Sequence, residues 1–311
     1  MGFGNDKTIL ALDYYYTLQF KGRKSEFQYA IRITQYISMT DHYFHHPLAK
    51  IHYYKFGNGS KSMLGFHGYG MHGKQFKVLE SVLGDDYTFF GFDLFFHKET
   101  HLVDQSIEHV KKGITKKQFS ELIEAFCDHE SVDRFSIIGY SMGSFYATTV
   151  VGELANRIDD FILISPSSIR PGNVIKFLSL NKIGNRFLER LTSSDTGLLR
   201  LLSFLKRVKV VDEVGYKILY KEIATPELRF SFYACLTYLR FWNTDENQLV
   251  DQLNKYAIKS IFIFGKKDGM YPHHIADHLI PRITNAKKLV LDENHEMINH
   301  NFAAELARLL K

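Results

Sequence analysis

Short apolar segments alternate with amphipathic segments along most of this chain, and this alternation is the feature that most limits the folds open to it. Seven segments have the length and composition of buried strands: 51–56, 62–66, 87–92, 135–138, 161–164, 260–264 and 288–291. Helices with one apolar face are predicted beside them at 74–83, 115–128, 146–154 and 302–310. The pattern predicts an α/β fold, with a mostly parallel sheet and helices on both of its faces.

One long segment interrupts the alternation. Residues 171–259 are predicted to be helical throughout, with no strand among them. Helices placed between two strand segments indicate an inserted lid. The chain is therefore expected to contain an N-terminal extension of unclear structure (1–46), two parts of one core (47–170 and 260–311) and the helical lid between them. Within the extension, the patterns of 14–20 and 27–37 fit two strands or a helix equally well.

The composition excludes several classes of protein. With 45% hydrophobic and 23% charged residues, the chain resembles an ordinary globular protein. Two cysteines provide neither a disulfide framework nor metal-binding spacing, and they favour a reducing compartment, so a cytoplasmic location is expected. The chain has no apolar run of 18 residues and no N-terminal pattern of a signal peptide, so neither a membrane span nor secretion is expected.

The positive charge of the chain is concentrated in the predicted lid. The formal net charge is +5, and residues 171–259 contain 14 Lys and Arg against 9 Asp and Glu. A solvated helical surface is the favoured explanation, and contact with an acidic substrate or an anionic membrane surface is the minority one. No basic run with interleaved aromatic residues indicates binding to nucleic acid.

The candidate reaction centre lies at a sharp turn between a strand and a helix. The apolar segment 135–138 ends at Gly139-Tyr-Ser-Met-Gly143, and the helical segment 146–154 follows directly. This is the context of a nucleophile elbow, in which Ser141 sits on a strained turn with φ > 0. The two glycines remove the Cβ atoms that would collide there.

Other reactive side chains also follow strands of the predicted sheet. His67, Asp93 and Asp268 come directly after strands, and His295 follows the last strand. Ligands of parallel sheets bind beyond the carboxyl ends of the strands, so these residues are expected near Ser141. A serine needs a base to remove its proton, usually a histidine held by a buried carboxylate. Asp268 and His295 supply such a pair in the chain order that this architecture uses.

Taken together, these motifs resemble those of the α/β-hydrolases, and the resemblance extends from about residue 49 to 311 apart from the lid. Four motifs carry it: His67-Gly-Tyr-Gly70, Gly139-Tyr-Ser-Met-Gly143, Gly265-x-x-Asp268 and Asn294-His295. The resemblance implies that Ser141 is the nucleophile, Asp268 the orienting acid and His295 the base. It also implies an oxyanion hole formed by the backbone N–H groups of Tyr69 and Met142, and chemistry without a cofactor or a metal.

One loop departs from the family's pattern. Many α/β-hydrolases have D-x-P-G-H-G-x-S after the strand that ends here at Asp93. This chain keeps the Asp and the His, as Asp93 and His97, and replaces the Ser by Thr100. The proline and both glycines are replaced by bulky residues, namely Phe95, Phe96 and Lys98. We expect the aromatic residues to narrow or reshape one wall of the pocket.

Rival assignments are weaker. Asp93 precedes the serine in the chain, so it is a less favoured acid than Asp268. The sequence from His295 to His300 resembles a zinc-protease motif, but the two histidines are five residues apart rather than four and lie on different helix faces. The clustered His42, His45 and His46 lack an acidic or sulfur ligand at fixed spacing, so a polar loop is favoured over a metal site.

The sequence favours a serine hydrolase that cleaves a carboxylic ester with an apolar acyl or alcohol part. A thioester is the second most favoured class of substrate. The expected partner is thus a small apolar substrate. One alternative keeps the triad but hydrolyses carbon–carbon bonds or catalyses lyase or acyltransferase chemistry. A second alternative is a relative that binds a ligand without catalysis.

Overall fold

The computed structural model describes residues 40–209, 211 and 213–311. Nine strands form one sheet: β1 (Thr40–His45), β2 (Ala49–Phe56), β3 (Lys61–Phe66), β4 (Tyr87–Phe92), β5 (His101–Leu102), β6 (Phe135–Tyr140), β7 (Ile158–Ile164), β8 (Lys259–Gly265) and β9 (Ala286–Leu291). All seven predicted strands are present. The strands proposed at 14–20 and 27–37 lie outside the described residues.

The order of the strands is β1-β2-β4-β3-β6-β7-β8-β9, and the short β5 pairs with β2. The neighbours from β4 to β9 are parallel, whereas β2 is antiparallel to β1, β4 and β5. The predicted α/β fold with a mostly parallel sheet is confirmed. Its central strand β6 is buried along its whole length, which explains its largely apolar sequence.

The described helices are α1 (Glu80–Leu83), α2 (Ile107–Lys112), α3 (Lys116–His129), α4 (Gly143–Leu154), α5 (Asn173–Leu180), α6 (Lys182–Thr192), α7 (Gly197–Arg207), α8 (Glu213–Ile223), α9 (Pro226–Tyr238), α10 (Glu246–Lys255) and α11 (His300–Leu310). A 3-10 helix, Gly73–Leu79, precedes α1, so the segment predicted as one helix has two parts. Helix α3 begins where predicted because Thr115 and Gln118 form a capping box.

Two close approaches show that helices cover both faces of the sheet. A Cβ added to Gly65 on β3 would lie 2.8 Å from the Phe76 ring of the 3-10 helix. A Cβ added to Gly139 on β6 would lie 2.9 Å from Ala147 of α4. Since Gly65 pairs with Ile138 and alternate residues face opposite sides, the 3-10 helix and α4 lie on opposite faces. Helices α3 and α10 pack beside α4, and α11 packs beside the 3-10 helix.

The sheet begins earlier than the expected core boundary at residue 47. Strand β1 pairs with β2 from Thr40↔Lys55 to His45↔Lys50, so His42 and His45 lie on a strand rather than in the expected polar loop. An edge strand with a solvated face contains few apolar residues, and of 41–45 only Phe44 is buried. This sparse pattern explains why the strand was not predicted.

Helices α5 to α10 occupy the segment between β7 and β8, where only helices were expected. The last of them, α10, packs on α4 and contributes the buried Leu249, Val250 and Leu253 to the main core. Helix α10 therefore belongs to the helical layer over the sheet.

Candidate active site

The turn after β6 has the strained geometry that its sequence predicts. Ser141 has a φ of 48°, in the left-handed region that non-glycine residues seldom adopt. A Cβ at Gly143 would lie 2.0 Å from the carbonyl oxygen of Phe66, and one at Gly139 would lie 2.7 Å from that of Gly143. Both positions therefore require glycine, and the turn holds the Ser141 side chain at the carboxyl edge of the sheet.

Hydrogen bonds to the backbone of Ser141 fix the turn. Its N–H donates to the carbonyl oxygen of Ile164 at 2.9 Å. Its carbonyl oxygen accepts from the hydroxyl of Ser167 at 2.9 Å and from the N–H of Ser144 at 3.0 Å. These bonds join the elbow to the end of β7 and to the first turn of α4. The strained conformation is thus held by its surroundings.

The side chains of Ser141, His295 and Asp268 form a continuous hydrogen-bonded chain. His295 Nε2 lies 3.1 Å from Ser141 Oγ, and His295 Nδ1 lies 2.8 Å from Asp268 Oδ2. Because a carboxylate only accepts, Nδ1 carries the hydrogen and Nε2 is free to accept the serine proton. The three residues that the sequence selected therefore lie in the arrangement required for nucleophilic attack by the serine.

The environment of Asp268 keeps its carboxylate charged. Burial alone would raise its pKa, but hydrogen bonds from His295 and from the N–H of Tyr271 outweigh burial and lower the pKa to about 2. Asp268 Oδ1 accepts from the N–H groups of Met270 at 2.8 Å and Tyr271 at 3.0 Å. The loop after β8 therefore both orients the carboxylate and stabilises its negative charge.

The segment after β3 passes beside the serine. A Cβ built on Gly68 would lie 3.6 Å from Ser141 Cβ, which places the predicted donor Tyr69 close to the nucleophile. The second predicted donor, Met142, is the residue before α4. Within the described residues, the N–H groups of Tyr69 and Met142 donate no hydrogen bond. Two donors beside the nucleophile that lack an acceptor are suited to stabilise a developing oxyanion.

His97 supports this loop. The N–H of Gly70, whose φ is 74°, donates to His97 Nε2 at 3.0 Å, while His97 Nδ1 lies 2.9 Å from the carbonyl oxygen of Phe95. Burial lowers the pKa of His97 to about 4, so its ring is neutral near pH 7 and accepts through Nε2. His97 thus fixes the residue after the candidate oxyanion donor.

The rival residues have other partners. Asp93 binds His52 Nδ1 at 2.6 Å and the N–H of Gly73 at 2.8 Å, and it makes no contact with His295. His67 is fully buried, and its Nε2 accepts from the N–H of Leu94 at 3.1 Å. His300 is the first residue of α11 and has no part in the chain that contains His295.

Two neighbours of the site were not predicted from the sequence. The hydroxyl of Tyr140 donates to the carbonyl oxygen of His295 at 2.8 Å, which holds the histidine loop against β6. Glu222 of α8 lies beside Gly70, where an added Cβ would be 2.3 Å from its Oε2, and burial raises the pKa of this carboxyl group. Both contacts join residues about 150 positions apart, which no local spacing reveals.

The comparisons with known proteins agree with this architecture. A sequence profile of the α/β hydrolase fold matches residues 61–192, which include Ser141 and end before Asp268 and His295. No curated protein sequence matches the chain significantly. The chain has the α/β-hydrolase fold.

Solved structures of similar fold have various activities. A thermophilic esterase from Thermogutta terrifontis is 14% identical, with a TM-score of 0.62, over 87% of this chain and 98% of that chain. A thioesterase domain from the curacin biosynthetic pathway is 17% identical, with a TM-score of 0.58, over 88% and 99%. A meta-cleavage product hydrolase is 17% identical, with a TM-score of 0.57, over 84% and 93%. At these identities the likeness establishes the fold alone.

Proposed function

We propose that this protein is a serine hydrolase that cleaves a carboxylic ester or a thioester through an acyl-enzyme on Ser141. The observation that carries the proposal is the hydrogen-bonded chain from Ser141 through His295 to Asp268, with the serine at φ 48°. The esterase and the thioesterase domain among the similar structures support this class of reaction.

The proposed reaction has two stages. Ser141 Oγ attacks the acyl carbon while His295 Nε2 takes the hydroxyl proton, which it then gives to the leaving alcohol or thiol. Water deprotonated by His295 then attacks the acyl-enzyme and releases the acid. The N–H groups of Tyr69 and Met142 stabilise the negative oxygen in both stages, and one such donor typically contributes about 10²–10³ in rate.

We further propose that residues 171–242 form a lid that selects an apolar acyl or alcohol part. The ring of Phe232 on α9 makes an edge contact with that of Tyr69, with centroids 5.9 Å apart, so α9 lies over the candidate oxyanion loop. Met142 and Phe145 add partly buried apolar surface beside Ser141. The proposed core then comprises residues 40–170 and 243–311. The cytoplasmic location of the protein stays a prediction.

A fluorophosphonate probe tests the nucleophile directly. We expect it to label the protein on Ser141, and we expect Ser141→Ala to abolish labelling. Ser203→Ala is the matched control, since its hydroxyl is exposed on α7 and only donates to the carbonyl oxygen of Leu199. Absence of a Ser141 adduct on the folded protein would contradict the proposal and favour a relative that only binds a ligand.

A series of p-nitrophenyl esters and thioesters of increasing chain length tests the reaction. We expect turnover that rises with the length of the acyl chain, because the lid presents apolar side chains to the candidate site. Labelling of Ser141 without any ester or thioester turnover would instead favour the second candidate, hydrolysis of a carbon–carbon bond or acyl transfer. The meta-cleavage product hydrolase among the similar structures keeps that candidate open.

A further inference from the structure

Exposed apolar side chains are concentrated in the proposed lid. The described residues outside the lid carry few large hydrophobic side chains that face solvent, whereas the described residues within 171–242 carry many: Val174, Phe177, Leu180, Ile183, Phe187, Phe204, Val208, Leu219, Tyr220, Phe230 and Phe241. Soluble monomers seldom expose so many large apolar groups in one region. Such a concentration marks a surface that binds a partner or a membrane.

The α5–α6 hairpin, residues 172–192, presents the densest part of this surface. Val174, Phe177 and Leu180 recur every three residues on α5, and the structure buries no residue of that helix. Ile183 and Phe187 are four residues apart on α6, and Ile183 is 78% exposed. The spacing places these apolar side chains along one side of each helix, where each remains between 47% and 78% exposed.

The same hairpin is strongly basic. It contains one acidic residue, Glu189, and four basic ones: Lys176, Lys182, Arg186 and Arg190. Glu189 is neutralised by Lys111, whose Nζ lies 2.6 Å from its Oε1. Within the described residues, Lys182 and Arg186 form no ion pair. The apolar surface is therefore surrounded by positive charge that lacks a partner in the described protein.

A cleft beside the turn between the two helices combines both properties. It has a volume of about 470 Å³ and is lined by four cations and one carboxylate, together with Leu180 and Phe241. The cations are Lys111, Lys182, Arg186 and Arg240, and the carboxylate is Glu189, which is paired with Lys111. The guanidinium of Arg240 lies over the Phe241 ring, 4.4 Å from the centroid. Cationic walls beside exposed apolar groups match a charged phosphate headgroup next to its acyl chains.

We propose that the α5–α6 hairpin docks this protein onto an anionic phospholipid surface. The exposed apolar side chains enter the boundary between headgroups and acyl chains, while Lys182, Arg186 and the cleft bind headgroup phosphates. A nucleic acid would use the cations but would leave the exposed Leu180 and Ile183 in water, so it is the less favoured occupant. The described residues contain no helix long and apolar enough to cross a membrane, and docking of this kind requires none.

Flotation of the full chain with vesicles tests the proposal. We expect binding to phosphatidylcholine vesicles that contain phosphatidylglycerol, weak binding to phosphatidylcholine alone, and loss of binding as salt is raised. The double variant Lys182→Glu/Arg186→Glu removes two cations, each attracted to the anionic membrane surface by about 1 kcal/mol, so its affinity for these vesicles should fall roughly 30-fold or more. The matched control, Lys255→Glu with Lys287→Glu, makes the same charge change on α10 and β9 and should bind within about threefold of the unmodified protein.

A second pair of variants tests the apolar contribution. Ile183→Ser with Phe187→Ser should weaken vesicle binding at least about 10-fold, because two side chains no longer enter the membrane. Val103→Ser is the control, since Val103 is 71% exposed outside the lid. Ser141→Ala should bind vesicles as the unmodified protein does, so docking and the proposed hydrolysis succeed or fail separately.

Three results would overturn the docking proposal. One is a full chain that fails to float with anionic vesicles. Another is equal vesicle binding by the lid pair Lys182→Glu/Arg186→Glu and by its control pair. The third is an unmodified protein that forms a dimer in light scattering and does not bind vesicles, while Ile183→Ser/Phe187→Ser is a monomer. A second copy of the chain would then be the partner of this surface.

Discussion

Two glycines of helix α4 should respond in opposite ways to substitution by alanine. The change should destabilise the protein at Gly143, in the elbow, and stabilise it at Gly152. Gly143 begins α4, and an added Cβ there would lie 2.0 Å from the carbonyl oxygen of Phe66 and 2.7 Å from that of His67. Gly152 lies on the same helix, and its added Cβ meets nothing closer than the Gln248 side chain at 3.8 Å. The space around the added methyl group therefore differs between the two positions.

The size of the effect follows from these distances. A Cβ is almost never found within 3.0 Å of another heavy atom, so in Gly143→Ala the end of β3 and α4 must separate by about 1 Å. Such overpacking typically costs about 1–3 kcal/mol of unfolding free energy. The displaced end of β3 continues into the loop that contains Tyr69. A displacement of about 1 Å in a catalytic group lowers the rate roughly 10²-fold.

The two variants are compared by denaturant unfolding and by the rate of fluorophosphonate labelling, which requires no knowledge of the substrate. Gly143→Ala should lose stability and react about 10²-fold more slowly. Gly152→Ala should gain up to about 1 kcal/mol, because alanine is the better helix former, and should react at the original rate. A Gly143→Ala protein with unchanged stability and a labelling rate within about threefold would refute the packing argument.

Further predictions concern Asp268 and the cysteines. Asp268→Asn should lower kcat/KM by about 10⁴, since an amide can hold His295 in the wrong tautomer, and steady-state kinetics on an ester substrate would measure the loss. The pKa of Asp268 lies near 2 in the folded protein and near 3.8 unfolded, so about 2 kcal/mol of stability is present above pH 4 and is lost as pH falls towards 2. The stability of Asp268→Asn should lack this loss between pH 4 and pH 2. Identical acid unfolding profiles of the two proteins would contradict the lowered pKa of Asp268. Burial raises the pKa of Cys127 and Cys235 to about 12, so neither thiol should react with Ellman's reagent until the protein unfolds; rapid reaction of the native protein would be inconsistent with their burial.

The parts of the fold that the sequence predicts well are those in which burial imposes a pattern. Strands β6 and β8 have both faces covered, so their sequences are largely apolar. Strand β1 has a solvated face and, among the described strands, pairs with β2 alone, so its sequence lacks an apolar run. The sequence therefore identified the strands that contain an apolar run, including β9 at the far end of the sheet, and it missed β1 and the two-residue β5.

The candidate site divides in a similar way. Ser141 directly follows β6, Asp268 lies three residues after β8, and His295 lies four residues after β9, so parallel topology alone brings them to one edge. Tyr140 and Glu222 reach the site through contacts with residues about 150 positions away. Such contacts depend on how separate elements pack, and a single sequence has no periodicity that encodes them.

The loop after Asp93 departs from the sequence pattern of many α/β-hydrolases. We expected its aromatic residues to narrow or reshape one wall of the pocket. Phe95 is 2% exposed and packs into the core against Trp242, among other rings, and its carbonyl oxygen accepts from the thiol of Cys235 on α9. The carbonyl oxygen of Phe96 accepts from the hydroxyl of Ser231, also on α9, at 2.7 Å. The loop therefore attaches the proposed lid to the core.

The backbone of this loop keeps the conformation that glycine would favour. Phe96 has a φ of 63° and Lys98 a φ of 48°, and these are the two positions at which many family members have glycine. A side chain in the left-handed region costs about 1 kcal/mol, so the substitutions must be offset by new contacts. Phe96 makes edge contacts with the rings of Phe230 and Tyr238 on α9. The two strained residues flank His97, which holds the candidate oxyanion loop, and Phe96 also contacts α9. The position of the proposed lid and the geometry of the candidate site therefore depend on the same few residues.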